Sequence, residues 1–316
     1  MNVIIFGGSG FIGTHYRNYL DSILEDANIL HFDIDATNNV SFLDVRIKIE
    51  IPGDFSDKDV IINLAAIHRT PGHPDYEYFE TNIKGAENVC AFAERVGICN
   101  IIFTSSIAPY GASEEVKTES TLPTPNTPYG ISKLVSEEIH KRWVEKDLKR
   151  RLMILRPGVV FGKGENGNFT RLASAIAKRF FFYPGRRNTI KASIYVKELV
   201  YQSWELFQKQ ESQIDIYNFA YQPPYTIEDI VEKICSTTNN PKPKIVIPAF
   251  ALKIVAMIFK VLGLSKLGIH PERVKKLMTS TNISGQKLRN AIPDYKYSMD
   301  EALEDWFHDC DQRGLF

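Results

Sequence analysis

The first half of the chain alternates short apolar runs with segments of helical periodicity. Continuous apolar runs such as "NVIIFG" (2–7) and "NIIFTSS" (100–106) are typical of strands buried on both faces. Between them, "GFIGTHYRNYLDSIL" (10–24) repeats its apolar residues at helical spacing, and Gly97 would end a helix over 78–97. Further strands are expected at 28–34, at 58–66 and from 151, and a further helix at 129–146. Alternating strands and helices predict an α/β fold, a doubly wound parallel sheet of the Rossmann type.

After about residue 160 the pattern changes to helical segments separated by loops and prolines. These helical segments are expected at 169–180, 196–208, 226–236 and 249–262. We therefore expect residues 1–162 to form the Rossmann domain, which also receives later strands from about 190–220. Residues 163–316 are expected to form mostly a smaller, interleaved substrate-binding lobe, so the boundary is discontinuous.

The composition excludes several classes of protein. Of 316 residues, 44% are hydrophobic, and 38 basic residues balance 38 acidic ones, so bulk charge indicates no nucleic-acid partner. The four cysteines are scattered without a C-x-x-C pair, which argues against a disulfide framework and a zinc site. No metal is expected, and the thiols are expected to be reduced.

The N-terminus reads as a buried strand rather than a targeting signal, so a cytoplasmic location is expected. The apolar segment 245–264 contains Pro248, Lys253 and Lys260. A spanning helix needs about 20 mostly uninterrupted apolar residues. We expect no integral membrane span and interpret the segment as a helix of a soluble protein, with shallow contact to a membrane surface as the alternative.

A glycine-rich turn follows the first strand and opens the first helix. Gly7, Gly10 and Gly13 allow a tight turn and a close backbone approach, and the N–H groups of Phe11 and Ile12 begin the helix. Asp33 lies twenty residues past Gly13, at the end of the second strand. A carboxylate there can accept hydrogen bonds from a ribose diol and would repel a 2′-phosphate. The pattern predicts a dinucleotide site, with NAD favoured over NADP; a tight turn without a ligand is the alternative.

Two further positions fit a dinucleotide groove. Asp44 and Val45 lie where the chain could pass an adenine edge, although a surface Asp beside a core Val explains them equally well. Ala65 and Ala66 end a strand with small residues and would let a cofactor lie close to the backbone. Small residues also suit a crowded contact between a sheet and a helix.

Tyr129 and Lys133 are four residues apart on a predicted helix and therefore share a face. Lys133 would lower the pKa of the phenol and bind a cofactor ribose. The strand 100–106 ends in hydroxyl residues, and carboxyl ends of parallel strands face the ligand crevice. A serine there, Tyr129 and Lys133 would form a proton relay that interconverts an alcohol and a ketone beside a nicotinamide. A Tyr–Lys surface pair is the alternative.

With these residues in place, the chain resembles the extended short-chain dehydrogenase/reductases, in particular the branch of NAD-dependent nucleotide-sugar epimerases and dehydratases. The resemblance runs over nearly the whole chain. It includes the glycine turn, Asp33, "NLAA" (63–66), "TNIKGAEN" (81–88), "SSIAPYG" (105–111), Tyr129-x-x-x-Lys133, "RPGVVFG" (156–162) and the segment 284–303.

The resemblance implies roles for individual residues. Tyr129 would be the acid/base, Lys133 its cofactor-anchoring partner, and Ser106 the hydroxyl that contacts substrate. It places Leu64, Ala65, Ala66, Asn82 and Pro157 in the binding site for NAD. It also implies a homodimer, built from the helices at about 82–95 and 129–146.

Departures from the family pattern narrow the chemistry. The dehydratases carry an Asp-Glu pair directly after the serine, where this chain has Ile107 and Ala108. The 3,5-epimerase/reductases place a cysteine nearby, where this chain has Ala108 and Pro109. Oxidation and reduction at one carbon, C4 of the sugar, remain.

The resemblance also implies a site for the sugar diphosphate. Asn168 would contact it through its amide, or would cap the helix that begins at residue 169. Lys191 and Arg273 would supply positive charge, although Arg273 also suits a charged helix face. Arg186 and Arg187 are further candidates for this charge.

The resulting hypothesis is an NAD-dependent nucleotide-sugar epimerase that transfers hydride reversibly at C4. The alternative is an NAD(P)H-dependent 4-ketoreductase of a nucleotide-linked 6-deoxy-4-keto sugar, which would use the same three residues. A non-catalytic NAD-binding regulator on the same fold is a third hypothesis.

Overall fold

The computed structural model describes residues 1–37, 40–68, 72–252 and 278–315. The strands are β1 Asn2–Phe6, β2 Asn28–Asp33, β3 Ser41–Phe42, β4 Val60–Asn63, β5 Asn100–Thr104, β6 Ser113–Lys117, β7 Arg151–Pro157, β8 Val159–Phe161, β9 Tyr183–Pro184, β10 Ser193–Tyr195, β11 Ile214–Phe219, β12 Val246–Ile247 and β13 Thr281–Ile283. The α-helices are α1 Phe11–Ile23, α2 Asp75–Tyr78, α3 Lys84–Val96, α4 Pro128–Glu145, α5 Asn168–Ala177, α6 Val196–Gln208, α7 Ile227–Thr238, α8 Gln286–Ala291 and α9 Met299–Asp309.

Seven parallel strands form the central sheet in the order β11-β7-β5-β4-β1-β2-β3. The strand order reverses between β1 and β4, and such a switch point opens a crevice at the carboxyl ends of the strands. The predicted doubly wound parallel sheet is confirmed.

Both faces of the sheet are buried, as the continuous apolar runs predicted. Val3 and Ile5 of β1 belong to one apolar core, while Ile4 and Phe6 belong to a second core on the opposite face. This alternation follows from the two-residue period of a strand. Helices α1 and α6 cover the first face, and α3 and α4 cover the second.

Local signals in the sequence explain where the helices of the crevice begin and end. Thr127 caps α4 by accepting a hydrogen bond from the Gly130 N–H at 3.1 Å, and Pro128 occupies the first turn. Gly97 ends α3 with a left-handed conformation at φ 78°, as predicted. A π-helical turn, Phe79–Ile83, precedes α3.

The later part of the chain adds one strand to the central sheet and also forms separate two-stranded pairs. Strand β11 pairs in parallel with β7 at one edge, whereas β8–β10, β9–β12 and β6–β13 form two-stranded pairs elsewhere. The division into a Rossmann domain and a substrate lobe stays a prediction. Most of the helix expected at 249–262 lies outside the described residues.

Within the described ranges, every helix is too short or too polar to span a bilayer. The four cysteines are free, and three of them are buried.

Candidate active site

The glycine turn after β1 is shaped by close backbone contacts. Gly7 has φ +85°, and a Cβ there would lie 2.9 Å from the Ala65 nitrogen. A Cβ on Gly13 would lie 2.2 Å from the Gly7 oxygen, so α1 approaches the turn as only glycine allows. Helix α1 begins at Phe11, and Gly10 offers no side chain to the free N–H groups of Phe11 and Ile12. The turn therefore fits the pyrophosphate of a dinucleotide.

Asp33 ends β2 beside this turn. One of its carboxylate oxygens accepts a hydrogen bond from the Ser9 N–H at 3.2 Å. The other accepts from the Asp35 N–H at 3.3 Å, on the exposed side. These contacts fix the carboxylate next to the turn, where the predicted ribose diol would lie.

Asp44 and Val45 are both held by contacts within the protein. Asp44 pairs with Arg46 at 2.6 Å, and that ion pair holds the pKa of the Asp44 carboxyl below its usual value. Val45 is buried in the core beside α3, and its carbonyl accepts a hydrogen bond from Asn88 at 2.8 Å. The contact of both residues with adenine stays a prediction.

The loop after β4 lies against the glycine turn. The Leu64 N–H donates to the Phe6 oxygen at 2.9 Å, and the backbone of Ala65 meets Gly7. Leu64, Ala65 and Ala66 are half-buried, so part of each residue is accessible at the crevice. Their predicted contact with the cofactor is compatible with this position.

Asn82 holds that loop to the catalytic helix. Its Oδ1 accepts from the Ile67 N–H at 2.8 Å, and its Nδ2 donates to the Ile67 carbonyl at 3.1 Å. Nδ2 also donates to the Ser132 hydroxyl at 2.9 Å. Both N–H donors of this buried amide are thus used within the protein. Asn82 thus links the loop to α4, and its predicted contact with the cofactor stays a prediction.

Pro157 likewise joins two parts of the crevice. It ends β7, and its carbonyl accepts a hydrogen bond from the Ile107 N–H at 3.1 Å. The turn that carries Ile107, Ala108 and Pro109 is thereby fixed to the sheet. A contact of Pro157 with the cofactor stays a prediction.

Tyr129 and Ser106 lie together, as predicted. The Ser106 hydroxyl lies close enough to the Tyr129 phenol to lower its pKa, and it accepts a hydrogen bond from the Ala108 N–H at 3.1 Å. This approach depends on Gly130, where a Cβ would lie 2.7 Å from the Ala108 oxygen. Gly130 lets α4 touch the turn Ala108–Tyr110, which brings the phenol to the carboxyl end of β5.

Burial shifts the pKa values of both Tyr129 and Lys133, an effect that their spacing in the sequence did not indicate. Desolvation raises the pKa of Tyr129 to about 12, and the nearby Ser106 hydroxyl opposes this rise. Desolvation lowers the pKa of Lys133 to about 7, although the Glu137 carboxylate partly offsets it. The pKa of Tyr129 therefore shifts in the direction opposite to the one that the Tyr–Lys spacing predicted, and Ser106 is the group that lowers it.

Lys133 is held by the sheet beneath it. Its ammonium group lies 4.7 Å from the centre of the Phe103 ring, and 2% of the residue is exposed. A buried amine whose pKa lies near 7 can gain or lose a proton when a ligand enters the site. This property suits a residue that supports proton transfer by Tyr129.

A buried ion pair lies one turn further along α4 and was missed by the sequence analysis. Arg156 donates to both oxygens of Glu137, at 2.9 and 2.5 Å, and Ser105 donates to the same carboxylate at 2.5 Å. Arg156 also donates to the Tyr110 hydroxyl at 2.7 Å. This network ties α4 to β5 and β7, and so positions the helix that carries Tyr129. An arginine directly after the apolar run 152–155 was the signal, because a buried charge needs a partner.

The crevice also contains polar atoms without a partner among the described residues. Asn63 Oδ1 and Thr104 Oγ1 are buried without a hydrogen bond. They end the adjacent strands β4 and β5. Buried polar groups are normally satisfied, so these atoms are consistent with a site that a polar ligand completes.

Asn168 is exposed and is not the helix cap that the alternative required. It is the first residue of α5, and its Oδ1 accepts from Arg171 at 3.1 Å. The buried carboxylate of Glu165 instead accepts from the Thr170 N–H at 2.9 Å. The predicted contact of Asn168 with the sugar diphosphate stays a prediction, while the capping role belongs to Glu165.

Lys191 lies in a charged cluster with Glu114 and Arg186. Its ammonium donates to the Thr279 carbonyl at 2.8 Å, and burial lowers its pKa to about 8. Arg186 pairs with Glu114 and donates to Ser280 at 3.0 Å. Arg273, the second predicted phosphate contact, lies outside the described residues.

Solved structures with this fold carry NAD. The chain superimposes on UDP-glucuronic acid 4-epimerase from Bacillus cereus in complex with NAD with a TM-score of 0.71, at 18% identity and 99% coverage of both chains. The UDP-glucose 4-epimerase of Thermus thermophilus, also in complex with NAD, gives 0.71 at 18% identity, covering 98% of this chain and 99% of that one. At this identity the likeness shows the fold alone.

Sequence relatives extend the likeness. An Escherichia coli O157:H7 protein is 28% identical over 313 residues, which cover 96% of this chain and 93% of the relative. It is described as an N-acetyl-alpha-D-glucosaminyl-diphospho-ditrans,octacis-undecaprenol 4-epimerase. The UDP-glucose 4-epimerase of Lacticaseibacillus casei is 29% identical over 183 residues, 53% of this chain and 54% of the relative.

The family model for the NAD dependent epimerase/dehydratase family matches residues 3–220. This range is more than half of the 316 residues and includes the glycine turn, Ser106, Tyr129 and Lys133. The predicted family and the predicted cofactor, NAD, are confirmed. The chain belongs to the NAD dependent epimerase/dehydratase family and is an NAD-dependent enzyme of that family.

Proposed function

We propose that this enzyme inverts C4 of a hexose that is carried on a diphosphate. The observation that carries the proposal is the contact between Ser106 and Tyr129 at the carboxyl end of β5, with buried Lys133 one turn away on α4. The 4-epimerase from Escherichia coli O157:H7, which aligns over 96% of this chain, supports the same reaction type.

Each group of residues has a distinct role in the proposed reaction. The glycine turn, with the N–H groups of Phe11 and Ile12, binds the pyrophosphate of NAD, and Asp33 binds the ribose next to adenine. NAD, when bound, supplies reversible hydride acceptance at C4. Ser106 orients the 4-hydroxyl, and the Tyr129 phenol oxygen removes its proton and later returns one.

Lys133 stabilises the phenolate through its charge. With a pKa of about 7, Lys133 is partly charged at neutral pH, so its ammonium form is available to balance a phenolate next to it. Ile107 and Ala108 stand where a dehydratase of the family has its acid pair, and neither side chain transfers a proton. This supports epimerisation over dehydration.

Two carriers are supported by different observations. The sequence analysis predicted a nucleoside diphosphate, and the partial relatives act on UDP-glucose. The relative that aligns over the full length acts on a sugar linked to undecaprenol through a diphosphate. Lys191 and Asn168 would bind the diphosphate that both carriers share.

A substrate deuterated at C4 tests the proposal. The purified enzyme is given the 4-deuterated N-acetylglucosamine derivative of uridine diphosphate, or of undecaprenyl diphosphate, without added NADH or NADPH. We expect the galacto epimer, with deuterium still at C4, because the hydrogen returns to the molecule that lost it. A 4-ketoreductase would form no epimer from these substrates, and would instead consume one NADH or NADPH for each molecule of a nucleotide-linked 6-deoxy-4-keto sugar that it reduces. Absence of an epimer from both carriers would reject the proposal.

A homodimer formed through α3 and α4 belongs to the proposal. Ile131 and Val135 are 39% and 36% exposed and lie one turn apart on α4, which supports a partner against this face. We expect V135E to lower the molar mass measured by light scattering from dimer to monomer. A monomeric wild type would contradict this part of the proposal.

A further inference from the structure

An exposed apolar surface lies outside the crevice, where two short strands meet. Strand β9 pairs with β12, and the Tyr183 N–H donates to the Ile245 carbonyl at 2.9 Å. Around this pair, five large apolar residues are turned to solvent. We call them the aromatic face: Phe180 (79% exposed), Phe182 (37%), Ile245 (65%), Val246 (38%) and Phe250 (69%).

The aromatic side chains just before and within β9 divide between the core and the surface. Phe181 and Tyr183 point inward, pack on the main core and contact each other with ring centres 5.1 Å apart. Phe180 and Phe182, which precede β9, are exposed instead. Large exposed apolar side chains that are grouped around one pair of strands mark an interaction site.

The surroundings of the aromatic face are positively charged. Residues 178–187 and 241–252 contain six lysines and arginines and no aspartate or glutamate. Three of the six are paired with acids elsewhere: Arg186 with Glu114, Arg187 with Glu228 and Lys242 with Glu232. Lys178, Arg179 and Lys244 are exposed and form no ion pair with any residue that the structure describes.

We propose that the aromatic face docks this enzyme onto a lipid bilayer that carries anionic headgroups. Aromatic and aliphatic side chains that enter the headgroup region, with lysines and arginines around them, are the combination that binds such surfaces. The charge complementarity selects a bilayer over a second copy of the chain, whose aromatic face would bring like charges together.

A short stretch of chain joins the aromatic face to Lys191, which is proposed to bind the diphosphate. Gly185 follows β9, and a Cβ there would lie 3.7 Å from the Cβ of Ala249, the neighbour of Phe250. The same segment continues through Arg186 to Lys191. A docked enzyme would thus present this side of its crevice to the membrane surface, where a polyprenyl-linked diphosphate is held. The docking proposal itself does not depend on which carrier is used.

Vesicle sedimentation tests the proposal directly. Wild-type protein is mixed with vesicles of phosphatidylglycerol and phosphatidylethanolamine, and separately with vesicles of phosphatidylcholine. We expect sedimentation with the anionic vesicles only, and weaker binding at high salt because screening reduces the attraction. The double variant F180S/F250S should bind at least about tenfold more weakly, since two large apolar groups no longer enter the interface.

A matched control variant and an activity assay distinguish loss of docking from other effects of the substitutions. I23S/L148S removes two apolar side chains that are 42% and 89% exposed elsewhere, and should bind the vesicles as the wild type does. All variants should epimerise a water-soluble nucleotide sugar equally, so loss of that activity would count against the proposed function and not against docking. Failure of the wild type to bind, or full binding by F180S/F250S, would overturn the docking proposal. So would a dimer that F180S/F250S breaks into monomers, because a second copy would then cover the face.

Discussion

At the scale of single residues, burial decides the chemistry of the site more than sequence spacing does. The four-residue separation of Tyr129 and Lys133 places both on one helix face, but their surroundings set their protonation. Lys133 is 2% exposed, and its pKa falls to about 7. A buried lysine of this kind costs stability and is retained for function, as is common at active sites.

This cost predicts that K133M stabilises the protein while it abolishes activity. Methionine keeps an unbranched apolar stem and removes a group that must be charged or neutralised in a buried position. We expect the free energy of unfolding at pH 7 to rise by about 1–3 kcal/mol and turnover to fall at least about 100-fold. Urea unfolding and a C4 epimerisation assay measure the two effects. A K133M protein that is less stable than wild type would contradict the assigned burial cost.

At the scale of elements, the site depends on close approaches that glycine permits. Gly13 brings α1 against the turn after β1, and Gly130 brings α4 against the turn that carries Ala108. The first contact shapes the pyrophosphate site, and the second places Tyr129 beside Ser106. Both are backbone contacts, so a methyl group cannot be accommodated by rotating a side chain.

The glycine turn predicts different results for G13A and G10A. The new Cβ of G13A would lie 2.2 Å from the Gly7 oxygen, whereas that of G10A would lie 3.3 Å from the same atom. We expect G13A to lower the free energy of unfolding without NAD by about 1–3 kcal/mol, and G10A to lower it by less than half of that. NAD affinity, measured by calorimetry, should fall at least about tenfold in G13A. Equal stability of the two variants would show that the turn is not constrained in this way.

The elements of the Rossmann half could be predicted because their signals are local. The apolar run of β1, the glycine turn and the helical periodicity of 129–146 are each read from a short stretch of sequence, and the structure has these elements where the sequence placed them. The pairing of Glu137 with Arg156 could not be predicted in this way. It joins a helix to a strand 19 residues later, and only the folded sheet brings the two together.

At the scale of the whole molecule, the buried lysines of the proposed site make the stability of the protein depend on pH. Desolvation lowers the pKa of Lys133 to about 7 and that of Lys191 to about 8, while unfolding returns both to about 10.5. Between these values the unfolded chain binds more protons than the folded one, so stability rises with pH. Glu198 has the opposite effect on stability, because burial raises its pKa to about 7 and the folded protein then binds the extra proton. Above about pH 7 Glu198 is mostly ionised in both states, so it adds little to the change of stability with pH.

We therefore expect the free energy of unfolding to increase on mild alkalinisation. Between about pH 7.5 and about pH 8.5 the rise should be about 1–2 kcal/mol, given 1.36 kcal/mol for each proton and pH unit. Urea unfolding at several pH values measures it, and K133M should remove more than half of the slope. A stability that is flat or falls over this range in the wild type would contradict the buried, neutralised state of Lys133.

The direction of the Tyr129 pKa shows where sequence reasoning ends. The sequence places a cation four residues away and so predicts a lowered pKa, yet desolvation of the half-buried phenol raises its pKa in the folded protein. Desolvation is a property of the assembled crevice, to which β5, α4 and the turn at Ala108 all contribute. It cannot be inferred from the spacing of two residues on one helix.

Turnover of Y129F with NAD fully bound tests the central claim most directly, since that claim assigns the proton at O4 to the Tyr129 oxygen. The substitution removes one oxygen atom and leaves the ring in place. We expect C4 epimerisation to fall at least about 1,000-fold, with NAD affinity within about twofold of wild type. Turnover close to that of the wild type, in a Y129F protein saturated with NAD, would contradict the account.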